Sequence, residues 1–198
     1  MEEELRALGT LASAPSEERA TALLHTSLWG NRADLGFRVS AGELALADAA
    51  ASNLVADDSA TLWQLLPAGT SATVAVVADN AGRELTPDLV LIDHLLEHGH
   101  ADQVVLHVKR CPYYVSDAMT TDVVDCLRRL TEAPGEVGRI GGRLWKAMAS
   151  GSLEVHTQPF FCAPLPYEEM LEDVRREFVG TVVTILKGDL NYRRLVGD

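Results

Sequence analysis

Positive charge is what this sequence has least of. Only 17 lysines and arginines stand against 29 aspartates and glutamates, for a net charge of −12. The imbalance sits in the first half, where residues 1–99 hold 5 of the basic and 15 of the acidic side chains. Neither half offers the footprint that a phosphate backbone needs, so no nucleic acid is expected as a partner. A small phosphorylated substrate stays compatible, given local positive charge or a metal ion. Cysteine is scarce too: Cys111, Cys126 and Cys162 are widely spaced with no C-x-x-C pair. That argues against a zinc ribbon or a disulfide framework and for reduced thiols in a cytoplasmic protein. The longest unbroken apolar run, Val74 to Ala78, is too short to span a bilayer, so no membrane association is expected. Met1-Glu2-Glu3-Glu4 is acidic with no apolar stretch behind it, which excludes the pattern of a secretory signal. Internal repeats, the G-x-S-x-G elbow, the Walker A loop and G-x-G-x-x-G are all absent.

What is present is an ordinary globular composition, 47% apolar and 23% charged over 198 residues, enough for one α/β domain with a real core. Roughly the first 25 residues read as helix, broken at Ser13-Ala14-Pro15-Ser16, with Ser16 before Glu17-Glu18 as an N-cap signal. Residues 28–35 read as a loop anchored by Trp29 and Leu35. Residues 41–54 are alanine-rich and fit helix or coil, and Asp57-Asp58-Ser59 caps a short helix carrying Leu62, Trp63, Leu65 and Leu66. From Ala72 the pattern changes to Ala-Thr-Val-Ala-Val-Val-Ala, a strand buried on both faces. A helix over 87–97 follows, with Thr86 as N-cap and Pro87 at its first position. Further strands are predicted over 103–108, 153–156 and 181–186. Helices are predicted over 120–130, over 137–149 (weakened by Gly138, Gly141 and Gly142) and, with amphipathic spacing, over 167–178. Strands alternating with helices predict a three-layer α/β/α fold with a mostly parallel central sheet. A helical segment over 1–70 is expected to pack on a core over 71–198 as one compact unit.

In such sheets ligands sit beyond the carboxyl ends of strands. That rule selects Asp79-Asn80, the 109–117 loop, the turn after His156, and Lys187 to Arg193. Asp79, Asn80 and Asp117 together offer hard oxygen donors of the kind Mg²⁺ or Mn²⁺ prefers. A metal held this way polarises a phosphoryl oxygen and activates water. Lys187 at a strand end, then Gly188 and a polar helix start, has the physics of an anion site. Each residue also has a plainer reading. Asp and Asn favour turns, Asp117 suits a helix cap, and Asp189 suits capping a last helix after a strand-to-helix turn. His94 and His98, four apart on one helix with His100 beyond, suit a metal or, more simply, cations near a helix C-terminus. The turn Asp79-Asn80-Ala81-Gly82-Arg83-Glu84 has a single glycine, a weak basis for a dinucleotide or S-adenosylmethionine loop.

Four ordered strings carry a more specific signal. Leu28-Trp29-Gly30-Asn31-Arg32-Ala33-Asp34-Leu35 resembles the Trp-Gly-Asn-x-x-Asp-Leu motif of the damage-control phosphatase family. The branch is the carbohydrate-phosphate one, also described as acidic-residue methyltransferase-like. Asp79-Asn80-Ala81-Gly82-Arg83-Glu84-Leu85, Leu106-His107-Val108-Lys109 with Val115-Ser116-Asp117, and Lys187-Gly188-Asp189-Leu190-Asn191-Tyr192-Arg193 resemble further motifs of that family. The resemblance covers residues 28–198. It implies an α/β/α metal-dependent phosphomonoesterase acting on small phosphorylated metabolites such as fructose 1-phosphate, fructose 6-phosphate or damaged phosphometabolites. It places the metal ligands on Asp79, Asn80 and Asp117, for Mn²⁺ or Mg²⁺, with Co²⁺ or Ni²⁺ as further candidates. It implies catalytic roles for Asp79, Asp117 and Lys187, and puts Asn31, Glu84, Asp189, Asn191 and Arg193 along the substrate.

Members of this branch are longer at both ends, and their later segment carries an Arg-Thr-x-Lys motif whose lysine meets substrate phosphate. No Arg-Thr-x-Lys occurs here. The resemblance therefore implies a shortened or fragmentary member, or one completed by another subunit. Missing strands would expose a sheet edge open to self-association. Two other readings stand beside the phosphatase: an S-adenosylmethionine-dependent protein carboxyl methyltransferase, and a non-catalytic chain that binds metal or phosphosugar.

Overall fold

The β-branched run after Ala72 becomes the innermost strand of a parallel sheet. The computed structural model describes Leu11, residues 16–29 and residues 54–198. Strand β1 (Thr73–Val77) lies between β2 (Gln103–Val108) and β4 (Thr181–Leu186), and β3 (Leu153–Thr157) flanks β2, giving the order β3-β2-β1-β4. All three pairings are parallel, with Val77 beside His107 and Leu186, and His107 beside His156. A bulge between Thr73 and Val74 shifts the register against β4. Four of the five β1 residues are buried, as a strand covered on both faces requires.

Alternation along the strands sorts side chains between two layers. Val74, Val76, Ala78, Val104, Leu106 and Val108 share one core with α1 (Ser16–Leu28), α3 (Leu85–Glu97), α4 (Thr120–Glu132) and α5 (Glu136–Ser150). Val77, of opposite parity, joins Phe160, Phe161 and Val174 in a second cluster, with Tyr167, Met170, Phe178 and Leu186 packed on it. This second layer is built by the β3–β4 connection and by α7 (Asp189–Val196). Arg194 of α7 clamps it, donating to Leu165 O (2.7 Å) and Phe160 O (3.0 Å) with its guanidinium over the Phe160 ring. The fold is thus three-layer α/β/α around a parallel sheet. Short α2 (Ser59–Leu65) precedes β1, and Leu23 and Leu24 of α1 enter the first core. Among the described residues no helix is long and apolar enough to cross a membrane.

Three local expectations are corrected. Residues 167–178 do not form one helix. They form a 3₁₀ turn at Tyr167–Glu169, an extended Met170-Leu171 step, and the short α6 (Glu172–Arg176). Tyr167, Met170 and Phe178 all pack on the second cluster, and that burial overrides helical periodicity. Helix α3 starts at Leu85 rather than Pro87, and the Thr86 hydroxyl donates back to Gly82 O (2.9 Å) instead of capping. The glycines of α5 serve packing: a Cβ on Gly141 would lie 2.5 Å from the Thr131 amide nitrogen of α4, whereas Gly142 faces open space.

Candidate active site

The chain order reverses at β1: β2 and β3 lie to one side and β4 to the other. The carboxyl ends of β1 and β4 flank this switch point, where α/β sheets place their ligand crevice. Asp79 O accepts from Ala118 N (2.9 Å), Ala81 N donates to Ser116 O (2.8 Å), and Lys109 N donates to Ala118 O (2.8 Å). These bonds, with an antiparallel bridge between Asn80 and Asp117, zip the loop after β2 onto the end of β1. Lys187 N donates to Val77 O (3.0 Å), which brings the end of β4 against the same point.

Asp79, Asn80, Asp117 and Glu84 are brought together there. Asn80 Nδ2 donates to Asp79 Oδ2 (3.0 Å) and Glu84 Oε1 (2.8 Å), while its Oδ1 accepts from the Ser116 hydroxyl (2.6 Å). Asp117 does not cap a helix. Its Oδ2 accepts from Tyr113 N (2.8 Å) and Tyr114 N (2.6 Å), which fixes the loop and leaves Oδ1 turned toward Lys109 Nζ at 3.5 Å. Gly188 closes the crevice with φ +84° and ψ 163°, a backbone region open essentially to glycine alone. A Cβ there would lie 2.7 Å from Asp79 Oδ1 and closer still to Oδ2, so Gly188 exists to let the Asp79 carboxylate sit against the β4 turn.

The remaining predicted site residues face elsewhere. Lys187 was expected to meet a phosphate; instead its buried Nζ donates to Ser27 O (2.6 Å), Ser27 Oγ (3.2 Å) and Asp88 Oδ1 (2.6 Å). Burial pushes the Asp88 carboxyl up, and Lys187 is the counter-charge that opposes this. Asn191 is buried between Tyr167, whose hydroxyl donates to its Oδ1 (3.0 Å), and Lys187 O, which accepts from its Nδ2 (2.8 Å). Asp189 begins α7 and pairs on the surface with Arg193 (2.9 Å). Asn31 lies outside the described residues. His94 is buried, and desolvation pushes its pKa down to about 3, so it is neutral rather than a cation at the end of α3.

Two residues of the family-like strings, neither given a role from sequence, join the site. Lys109 is fully buried with no hydrogen-bond partner for Nζ among the described residues, and it is a cation facing Asp117. Its signal was visible as a lysine closing an otherwise buried strand. Ser116 orients Asn80, and its signal was its place in the Val115-Ser116-Asp117 string.

The electrostatics call for a cation. Burial, then Glu84, raises the Asp79 pKa to about 6, with Asp117 adding and Lys109 and Lys187 opposing. Among the described residues no ion pair neutralises Asp79. Among the described residues, with Lys187 committed to Asp88, three carboxylates (Asp79, Glu84, Asp117) face one ammonium (Lys109). The two excess negative charges equal one divalent ion. Asp79, Asp117 Oδ1 and Asn80 Oδ1 supply oxygen donors of the class that Mg²⁺ and Mn²⁺ accept, so these residues fit such a metal.

Comparison with known proteins identifies the family of the chain. The profile of the damage-control phosphatase ARMT1-like domain matches residues 2–198. Damage-control phosphatase ARMT1 of Danio rerio is 34% identical over 197 residues, covering 89% of this chain and 43% of that protein. The Mus musculus protein of the same name is 33% identical over 194 residues, covering 89% of this chain and 44% of its own length. The chain thus spans less than half the length of these relatives. The crystal structure of a DUF89-family protein from Pyrococcus horikoshii superposes with a TM-score of 0.58 at 20% identity, covering 98% of this chain and 60% of that one. At that identity the likeness speaks for the fold.

Proposed function

Because the chain belongs to the damage-control phosphatase ARMT1-like domain family, we propose that it is a metal-dependent phosphomonoesterase acting on small sugar phosphates or damaged phosphometabolites. The observation that carries this reading is the under-neutralised oxygen cluster of Asp79, Asn80 and Asp117 at the β1/β4 switch point. Asp79, Asn80 and Asp117 would hold Mn²⁺ or Mg²⁺, with Co²⁺ or Ni²⁺ as substitutes. The bound ion supplies charge neutralisation to phosphoryl oxygens.

The chain's own residues do the rest. Two backbone N–H groups hold Asp117 in one orientation, so its free oxygen is preset. Asn80 donates to the Asp79 carboxylate, and Gly188 leaves the space that it fills. In the metal-free fold burial and Glu84 raise the Asp79 pKa to about 6, and a divalent ion bound there would favour the ionised, ligating carboxylate. Lys109 balances the acidic cluster from beneath and keeps it from repelling a phosphate dianion outright. Lys187 acts as a positioning residue, tying the end of β4 to α1 and α3.

Phosphate release from fructose 1-phosphate with Mn²⁺ tests the reading, with chelator and Asp79→Ala as controls. Metal-dependent release that disappears in Asp79→Ala is the expected outcome. Release that survives both chelation and Asp79→Ala overturns it. Mn²⁺ binding by a folded chain without turnover would assign it a binding role instead.

A further inference from the structure

We propose that His107, His156 and Glu177 form a second metal site, chemically distinct from the oxygen cluster, that takes a borderline divalent ion of the Zn²⁺ class. His107 of β2 and His156 of β3 are register partners, so both side chains leave the same face of the sheet. Glu177 follows α6 in the β3–β4 connection, and that segment brings its carboxylate over the pair. Glu177 Oε2 lies 3.0 Å from His156 Nδ1 and 3.5 Å from His107 Nδ1. One donor atom from each of the three residues falls within 4.8 Å of the others.

Three observations go beyond proximity. First, His107 is completely buried, and among the described residues neither of its ring nitrogens has a hydrogen-bond partner. Buried imidazole nitrogens are rarely left without one, and at 3.5 Å the Glu177 oxygen is too far to serve. Coordination through Nδ1 would satisfy one nitrogen, while the rings of Phe161 and Phe178 pack around the imidazole. Second, the outer partners needed to orient the ligands are in place. His156 bonds Glu177 Oε2 through Nδ1 (3.0 Å) and Glu154 Oε2 through Nε2 (2.8 Å); an ion entering the cluster would displace the Nδ1 proton, while Glu154 keeps the Nε2 proton and so orients the ring. Gln158 Nε2 donates to Glu177 Oε1, which leaves Oε2 for the ion. Carboxylate–histidine–metal arrangements have this form. Third, the donor set is selective. Two imidazoles and one carboxylate suit Zn²⁺ far better than Mg²⁺, which favours the all-oxygen cluster instead. His156 and Glu177 are partly exposed, so an ion can enter from that side.

Such an ion would join β2, β3 and the crossover that builds the second layer. Phe178, next to Glu177, already stacks on His107 with centroids 4.7 Å apart. Its role is to hold this connection against the sheet; it takes no part in the chemistry proposed at Asp79.

The test uses the 198-residue chain with excess Mg²⁺ present to fill the oxygen cluster. Zn²⁺ is titrated by calorimetry, and Co²⁺ by its visible absorption. Asp79→Ala should bind Zn²⁺ like the unaltered chain. His156→Gln and Glu177→Gln should weaken binding by a hundredfold or more and abolish intense tetrahedral Co²⁺ bands. Glu154→Gln should cost about tenfold, as outer-shell changes do. Circular dichroism confirms that each variant is folded, and the half-exposed His156 is the substitution least able to disturb the core. The proposal is overturned if the folded, unaltered chain binds no Zn²⁺ under these conditions. It is equally overturned if His156→Gln leaves the affinity unchanged, or if binding vanishes in Asp79→Ala.

Discussion

Gly188→Ala separates the two demands that the crevice makes on its backbone. The glycine sits at φ +84° and ψ 163°, where an L side chain costs about 1–3 kcal/mol. Its missing Cβ also leaves the space filled by the Asp79 carboxylate. Gly180, at φ +90° before β4, has nothing among the described residues within 4 Å of its own absent Cβ. Gly180→Ala therefore reports strain without a clash. We expect both variants to lose about 1–3 kcal/mol in urea unfolding, with Gly188→Ala the more affected. Only Gly188→Ala should also weaken Mn²⁺ binding, because Asp79 must swing away from Asn80 and Asp117 to admit the methyl group. A tenfold loss, about 1.4 kcal/mol, is the least that such a displaced ligand predicts. Calorimetry with Mn²⁺ on both proteins reads the difference. Wild-type Mn²⁺ affinity in a folded Gly188→Ala variant would refute the assignment of Asp79 as a ligand held by this turn.

Three further outcomes follow from the same geometry. Asp79 has a folded pKa of about 6 against 3.8 for the free side chain, so the metal-free fold binds the extra proton. Its ionisation thus opposes folding fully above pH 6, and this penalty fades as pH falls from about 6 to below 4. Solvent around the half-buried carboxylate screens the penalty to about 1 kcal/mol, so Asp79→Asn in chelator should melt higher than wild type at pH 8 and equally at pH 4; a lower melting temperature at pH 8 would contradict this. Lys187→Met leaves Asp88 buried without its counter-charge and should cost about 3–5 kcal/mol in urea unfolding, whereas Lys187→Met with Asp88→Leu should recover much of it. A loss below 1 kcal/mol in the single variant would show that the pair is not what holds β4 to α1 and α3. Gly142→Ala should stabilise α5 by up to about 1 kcal/mol and Gly141→Ala should destabilise the protein, since only the latter meets the backbone of α4; equal effects in thermal unfolding would refute that packing.

The parallel sheet was legible because its strands are continuous apolar runs, and few other structures bury such runs on both faces. The oxygen cluster was legible because strand ends in α/β sheets converge, whatever the side chains do afterwards. Where the reading stopped short, a longer-range packing choice decided. Nothing local to residues 167–178 announces that Tyr167, Met170 and Phe178 all serve the same cluster under β1 and β4. The helix pattern there is real, but it lost to that burial. The grouping of His107, His156 and Glu177 was not legible for the same reason: 48 residues lie between the two histidines, and only the β2–β3 register puts them side by side.

Lys187 carries the sharper lesson, because the information to orient it was present and went unused. The strand-end rule says where a Cα goes; alternation says which way the side chain leaves. Val183 and Ile185 belong to the core beneath α1 and α3, so Lys187, two residues on, leaves toward that same layer and meets Ser27 and Asp88. Val77 faces the opposite layer, and Asp79 and, beside His107, Lys109 continue that parity. The β1 and β2 residues on the second parity therefore form the charged floor of the crevice, while the β4 lysine on the first parity braces it from behind. Period-two reading extended two residues past each strand would have chosen Lys109 over Lys187 as the cation of the site. Lys109→Met offers the decisive contrast with Lys187→Met: the first should alter metal and phosphate affinity at nearly unchanged contacts of α1, the second should act mainly through stability.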